Sequence, residues 1–348
     1  MHAVLVRHFF ALFFSFLLGV YLLPIIIRAA KKIGFLDAPD GHLKHQKDPI
    51  PYLGGVAVFV PFITTLGLCF PFENQILWLL LGTTLLLFVG LVDDLKVLKP
   101  GQKFFGQFIA ALCFMKGEFS LKTPFFSSFF NIFLSMFWIL SVINAFNLVD
   151  VMDGLCATLA LLAATMFGIL AFIAGKYTTS LLLAAFIGSV ASFLVYNRPP
   201  ARIYLGDAGS LFIGGFLAAI PLLLDWDRSL FIVPFGGAVG TVYQFVQPLL
   251  VVFLIPCLVL FVPLLEGIGL FVIRTRLGIP FYKGSPHHFS IYLQRKGWGK
   301  YQILGFVSLL SLMMFAFVVL FLHCMISLPW LLIATMSLVT GWIYLIFF

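Results

Sequence analysis

Long apolar runs separated by short polar segments fill the chain. Runs of roughly membrane-spanning length fall near 5–27, 55–71, 75–92, 104–116, 130–147, 155–174, 178–196, 208–224, 240–273, 301–322 and 326–347. A span takes about 20 apolar residues, because a helix rises about 1.5 Å per residue through a hydrocarbon layer about 30 Å thick. The fourth run is short by that measure, and the ninth is long enough to include an interfacial piece. The pattern therefore predicts an all-α, polytopic membrane protein with ten or eleven spans. No repeat, low-complexity tract or separable soluble domain interrupts it, so 1–348 reads as one membrane-embedded domain.

One interruption of the pattern stands out. Asn144, Asn147, Asp150 and Asp153 recur every third position between the runs 130–143 and 155–174. Steps of three drift by about 60° on a helix, so the row would wander to the opposite face. The spacing predicts a helix that ends or breaks near Leu148–Asp153, with Gly154 as the pivot. A carboxylate at the centre of a bilayer costs about 2.5–3.5 kcal/mol. Asp150 and Asp153 are therefore expected at a helix end, facing a polar cavity.

Composition excludes a soluble domain: 62% of residues are hydrophobic, 10% are charged, and the mean hydropathy is +1.13. Residues 1–30 have too long an apolar core for a signal peptide, and Arg28, Lys31 and Lys32 follow in place of a cleavage site; they read as a retained first span. The five cysteines are scattered through apolar segments and read as small buried hydrophobes. The net charge of +8 is a topology signal and does not point to nucleic acid. With the N-terminus outside, sixteen of the 21 Lys and Arg residues fall on inner loops, and only Arg7, Lys116, Lys122, Lys176 and Arg228 fall outside. The positive-inside rule selects that orientation. It places Asp93, Asp94, Asp150, Asp153 and Asp207 on the cytoplasmic side, where three separate loops can converge.

Each inner loop carries candidate chemistry. The first, 28–51, is rich in turn residues, and its Lys44, His45 and Lys47 either hold a phosphate or supply topology charge. The adjacent Asp93 and Asp94 repel each other and call for a cation, either a metal or Lys96. Magnesium, a hard ion that shares carboxylate, phosphate and water oxygens, suits such a pair. In Gly206-Asp207-Ala208-Gly209-Ser210, at the start of an apolar run, backbone N–H groups can approach an anion closely. Asp207 can equally be a turn or cap residue, and Tyr204 either stacks on a base or lines a helix interface. His287 and His288, among Lys and Arg residues, read as a polyphosphate clamp or a solvated pair; zinc lacks a third ligand.

Taken together, Asp93-Asp94-x-Lys96, the stretch Asn144 to Leu155, Asn197-x-x-Pro200-Ala201, Gly206-Asp207-x-Gly209-Ser210 and the His287-His288 loop resemble the polyprenyl-phosphate N-acetylhexosamine-1-phosphate transferases. The resemblance covers nearly the whole chain, with the motifs in order. It implies a cytoplasm-facing cleft in the bacterial inner membrane. There a sugar 1-phosphate passes from a UDP-sugar to a polyprenyl phosphate, releasing UMP, with Mg2+ as the cofactor and Mn2+ as the alternative. It implies Asp207 as the main metal ligand, Asp93 and Asp94 handling the acceptor phosphate and the metal, and Asp150 and Asp153 beside the nucleotide. Asn197 and Tyr204 would lie near the uracil, and His287 and His288 near the diphosphate. Asn147, Gly206, Gly209 and Ser210 complete the expected substrate contacts, and Lys44, Lys47, Lys96 and Arg202 supply positive field. Two departures stand: Val151 replaces the family's common Gly, and the loop has two histidines where relatives usually show three.

Ile50-Pro51-Tyr52-Leu53-Gly54-Gly55 and the Asn144-Ala145-Phe146-Asn147 stretch look more like the branch that starts O-antigen, teichoic acid or common-antigen synthesis. The donor expected from that branch is UDP-N-acetylglucosamine. The peptidoglycan branch, which uses a UDP-muramyl pentapeptide, is the alternative. A homodimer is left open. Phosphoryl transfer needs mainly positioning and charge neutralisation, so direct in-line attack is expected, with an aspartyl-phosphate route as its rival. A secondary transporter would also place acids in a membrane domain, but at the midplane of related repeats and not at one face.

Overall fold

The computed structural model describes residues 1–37, 49–70, 73–123, 126–224, 252–280, 282–323 and 325–347. It is a bundle of helices with one two-residue antiparallel ribbon, Leu36–Asp37 against Ile50–Pro51. In chain order the helices are α1 (His2–Ile33), α2 (Gly54–Cys69), α3 (Asn74–Leu95), α4 (Pro100–Lys116), α5 (Ser128–Val149), α6 (Leu155–Ile173) and α7 (Tyr177–Asn197). They continue with α8 (Gly206–Leu223), α9 (Val252–Val259), α10 (Phe261–Arg276), α11 (Phe289–Arg295), α12 (Lys300–Leu322) and α13 (Leu328–Phe347).

Among the described residues, eight helices are long and apolar enough to cross a bilayer, and the pair α9–α10 would make a ninth. The protein is a polytopic all-α membrane protein. Two expected spans are shorter: α2 has 16 residues and α4 has 17. At about 1.5 Å per residue they cover about 24–26 Å. The expected ninth run, 240–273, is not one straight span. Its first part lies outside the described residues, and the remainder is two helices meeting at 88°.

The centre of the bundle is α8, buried along most of its length. It packs on α3, α5 and α2, while α7 packs on α1, α2 and α6. Phe62 of α2, Phe186 of α7 and Phe216 of α8 meet in edge-on and stacked pairs that fill the seam. Several polar side chains inside the bundle pair with one another or with backbone carbonyls, as a medium without water favours. Asn144 and Gln107 exchange two amide hydrogen bonds, and the Trp138 indole donates to the Ala218 carbonyl. The interruption in the polar pattern is a true break: α5 stops at Val149, Gly154 takes a left-handed conformation, and α6 begins at Leu155. The ends of α3, α5 and α7 and the starts of α2, α4, α6, α8 and α12 gather at one end of the bundle.

Candidate active site

The site is built on the first turn of α8, whose leading N–H groups have no partner within their own helix. Asp94, in the last turn of α3, supplies it. Its Oδ1 accepts from the Asp207 N–H at 2.8 Å and its Oδ2 from the Ala208 N–H at 3.1 Å. Small residues permit the approach. A Cβ at Gly55 would lie 2.4 Å from the Gly209 nitrogen, and one at Gly90 would lie 2.3 Å from the Ala208 nitrogen. The expectation that these N–H groups await a substrate anion is thus corrected. An anion does sit there, and it is the protein's own carboxylate. Asp94 thus caps the start of α8.

Beside this cap, one ammonium group ties three elements together. Lys103 Nζ, from the first turn of α4, lies 2.9 Å from Asp93 Oδ2 and 2.8 Å from Asp207 Oδ2. It also donates to Asn147 Oδ1 at 3.1 Å. Asn147 turns its Nδ2 toward Asp207 Oδ1 and Ser210 Oγ, and Asp93 Oδ1 accepts the Leu98 N–H at 2.7 Å. The expected cation for the aspartate pair is therefore Lys103. Lys96 lies exposed at the end of α3 and is not the pair's cation. Sequence reading counted Lys103 only among the inner-loop charges. Its place one turn into a helix, four residues before Gln107, was the available signal.

Asp150 sits at the α5 terminus, partly buried, with no hydrogen bond or ion pair among the described residues. Burial raises the pKa of its carboxyl well above the usual range, and Asp207, Asp94 and Asp153 push it further. Asp153 lies farther along the turn and pairs with Lys300 of α12 at 2.7 Å. Its Oδ2 also accepts the Ala201 N–H at 3.3 Å. Asn197 is buried and braces the turn: its Oδ1 accepts the Gly154 N–H and its Nδ2 donates to the Ile203 carbonyl. These bonds give it a structural role in the turn. Tyr204 lies between α7 and α8, its N–H held by the Pro51 carbonyl. Burial raises its phenol pKa, with Asp153, Asp37 and Tyr52 adding to the shift.

The histidine loop does not present two free imidazoles. His288 is buried, with Nδ1 3.0 Å from Glu266 Oε1 of α10, and the Phe289 N–H reaches the same oxygen at 3.4 Å. His287 has a buried Nδ1 with no hydrogen-bond partner among the described residues. Glu266 was missed, although a lone carboxylate inside a long apolar run was its signal. Arg202 is exposed and lines a cavity with Arg198, away from the Lys103 contacts. Gly206, Gly209 and Ser210 form the α8 turn itself. Lys44 and Lys47 lie outside the described residues.

Chemically, the cluster is an all-oxygen anionic surface with one fixed cation. The donors Asp207 and Asp150 fit a hard divalent ion. Among the described residues, no three His, Cys, Asp or Glu side chains converge as a ready-made metal site. The expected gathering of five acids round one ion is therefore met only in part. Asp93, Asp94 and Asp207 share one hydrogen-bonded cluster, Asp150 stands within electrostatic reach, and Asp153 is drawn off to Lys300.

Comparison with known proteins places these loops in a family. Residues 76–225 match glycosyl transferase family 4, a region that holds Asp93, Asp94, Lys103, Asn147, Asp150, Asp153, Asn197, Tyr204 and Asp207. The chain is 33% identical over 249 residues to a phospho-N-acetylmuramoyl-pentapeptide-transferase of Bacillus cytotoxicus, covering 64% of this chain and 76% of that protein. It is 32% identical over 254 residues to the Streptococcus pneumoniae protein of the same name, covering 66% and 76%. A probable undecaprenyl-phosphate N-acetylglucosaminyl 1-phosphate transferase of Bacillus subtilis is 30% identical over 228 residues, covering 63% of each chain. With the site loops inside the matched region and three quarters of two relatives aligned, the chain belongs to glycosyl transferase family 4 and is a membrane-embedded transferase.

Proposed function

We propose that the protein transfers an N-acetylhexosamine 1-phosphate from a UDP-sugar, UDP-N-acetylglucosamine, to a polyprenyl phosphate, releasing UMP and requiring Mg2+. The observation that carries this reading is Lys103 held between Asp93 and Asp207 against the capped start of α8. That arrangement fixes a cation and carboxylates from three helices at one end of a membrane bundle, where a lipid phosphate and a soluble nucleotide can both arrive. The same end carries Lys31, Lys32, Lys96, Lys99, Arg198, Arg202 and Lys300, which supports a cytoplasmic location under the positive-inside rule.

Asp207 and Asp150 are the residues that would hold the magnesium, which when bound neutralises charge on the donor diphosphate. Lys103 offers its ammonium to the reacting phosphates while keeping Asp207 and Asn147 aligned. Asp93, fixed by the Leu98 N–H and Lys103, orients the acceptor phosphate. An oxygen of the lipid phosphate attacks the sugar-bearing phosphorus in line. The bond from that phosphorus to the bridging oxygen breaks, and UMP leaves with that oxygen. The lipid phosphate is already ionised near neutral pH, so no general base is required. His288, whose Nδ1 is held by Glu266, would donate to the diphosphate through its other ring nitrogen.

A second reading, transfer of phospho-muramoyl pentapeptide, is favoured by the aligned relatives of that name, which cover 76% of their own length. One experiment separates the two. Purified protein in detergent is incubated with Mg2+, undecaprenyl phosphate and a panel of UDP-sugars, and UMP is followed. The proposal expects acceptor-dependent UMP from UDP-N-acetylglucosamine. UMP from the muramyl pentapeptide donor alone selects the second reading, and no UMP from any donor rejects both.

A further inference from the structure

Outside the Lys103 cluster, a cavity of about 490 Å3 opens at the end of α7, lined by Val195, Tyr196, Arg198, Pro199, Arg202 and Tyr301. Its frame is fixed. The Arg202 N–H returns to the Tyr196 carbonyl at 2.8 Å, the Tyr301 hydroxyl donates to the Pro199 carbonyl, and Tyr196 reaches the Val20 carbonyl of α1. Both arginines are exposed, and neither side chain has a hydrogen bond or ion pair among the described residues. Asp153, which reaches the neighbouring Ala201 N–H, is already matched by Lys300.

We propose that this cavity is a binding site for the phosphate headgroup of a resident anionic phospholipid, separate from the reacting lipid. Two guanidinium groups present planar forks of N–H donors that match phosphate oxygens bidentately. The volume falls in the range of ligand pockets, about 300–1,000 Å3, and exceeds what one free phosphate fills. Val195 is an exposed apolar residue on the last turn of a membrane helix, so the cavity runs onto the surface that meets acyl chains. Tyr196 and Tyr301 stand where aromatic side chains line a membrane interface. Basic pockets between membrane helices recognise anionic headgroups in this way. The site explains why two arginines stand unmatched at the end of a helix whose neighbouring carboxylate is already paired. The inference rests on the membrane bundle and not on the proposed reaction.

Binding is read without turnover. The full chain in detergent is mixed with phosphatidylglycerol or phosphatidylcholine, and retained lipids are counted by native mass spectrometry. One phosphatidylglycerol per chain is expected, with phosphatidylcholine at least about tenfold weaker. Arg198→Gln/Arg202→Gln should lower retention at least about tenfold, and Arg198→Lys/Arg202→Lys should lower it less. Lys31→Gln/Lys32→Gln removes the same charge from the end of α1 and should leave retention unchanged. Equal loss in that control would reduce the effect to general surface charge and overturn the site. Displacement by millimolar inorganic phosphate would assign the cavity to a soluble anion. One-for-one displacement by undecaprenyl phosphate would make it the acceptor site, and either result overturns the proposal. Should the glutamine variant fail to fold, the displacement experiments on the unaltered chain decide alone.

Discussion

Replacing Gly206 by Ala tests how the site is held together. Gly206 has φ +72°, in the left-handed region, and a Cβ there would stand 2.6 Å from Asp94 Oδ2 and 3.1 Å from its Cγ and Oδ1. Gly34 is a matched control: its φ is +74°, and a Cβ would meet nothing within 4 Å. Left-handed backbone costs an L-residue about 1–2 kcal/mol, and Gly34→Ala should cost no more than that. At Gly206 the same strain is joined by a displaced carboxylate. Asp94 cannot yield the space while keeping both bonds to the Asp207 and Ala208 N–H groups. A hydrogen bond to a charged group contributes about 1.5–3 kcal/mol, so losing one brings Gly206→Ala to about 2.5–5 kcal/mol.

The measurement is unfolding in mixed micelles, followed by tryptophan fluorescence, for both single variants and for each on an Asp94→Ala background. With Asp94 truncated, Gly206→Ala should cost only the backbone strain, so the pair should depart from additivity by at least about 1 kcal/mol. Gly34→Ala should add normally to Asp94→Ala. Equal costs at the two glycines, or strict additivity of Gly206→Ala with Asp94→Ala, would refute the capping role of Asp94.

Three further expectations concern single contacts. Lys103→Met removes the cation shared by Asp93 and Asp207 and should lower acceptor-dependent UMP release at least about 100-fold; near-normal release would reduce Lys103 to a packing residue. Asn197→Ala leaves the Gly154 N–H and the Ile203 carbonyl unpaired, at about 2–4 kcal/mol of stability, with the nucleotide KM unchanged; a raised KM at full stability would restore Asn197 to the nucleotide. Tyr204 keeps its proton in the folded state to higher pH than in the unfolded chain, because burial, Asp153, Asp37 and Tyr52 oppose its ionisation. The unfolded state therefore binds fewer protons once pH passes about 10, and stability falls from there upward. Tyr204→Phe should lower that alkaline loss in melting temperature, and an unchanged slope would contradict it.

The contrast between Asp207 and Lys103 shows which features were legible in the sequence. Asp150 and Asp153 interrupt apolar sequence and Asp207 opens an apolar run, and the cost of a carboxylate in lipid makes such positions visible from one sequence. The α5–α6 break was legible for the same reason, since a three-residue polar period cannot follow one helix face. Lys103 was not legible. It opens α4 among Lys99 and Lys96, where any lysine reads as topology charge, and its partners Asp93, Asn147 and Asp207 come from three other helices. Asp94 shows a different limit. Adjacent aspartates predict repulsion, and the fold relieves it by sending Asp93 to Lys103 and Asp94 to the N–H groups of α8. Which carboxylate takes which partner depends on the approach of α3 to α8 at Gly90, a packing fact without local sequence signature.

The charge balance of the site carries one more consequence. Backbone N–H groups satisfy Asp94, and a single lysine serves both Asp93 and Asp207. Asp150 has carboxylates around it and no described partner. Carboxyl groups therefore outnumber the cations that serve them, yet no three metal-ligating side chains are assembled among the described residues. Such a surface attracts a divalent ion but offers too few fixed oxygens to hold it tightly, since Mg2+ demands near-octahedral coordination and completes it with phosphate or water. A nucleotide diphosphate supplies the missing oxygens, while its own charge would be repelled without the ion. Each should therefore raise the affinity of the other, by the same factor in both directions. Calorimetric titration of Mg2+ should show weak binding alone and at least about fivefold tighter binding with saturating UDP. The reciprocal titration of UDP should shift equally. Tight binding of Mg2+ to the protein alone, unmoved by UDP, would mean that the carboxylates form a closed cage, and Lys103 would then have to be read as a bystander.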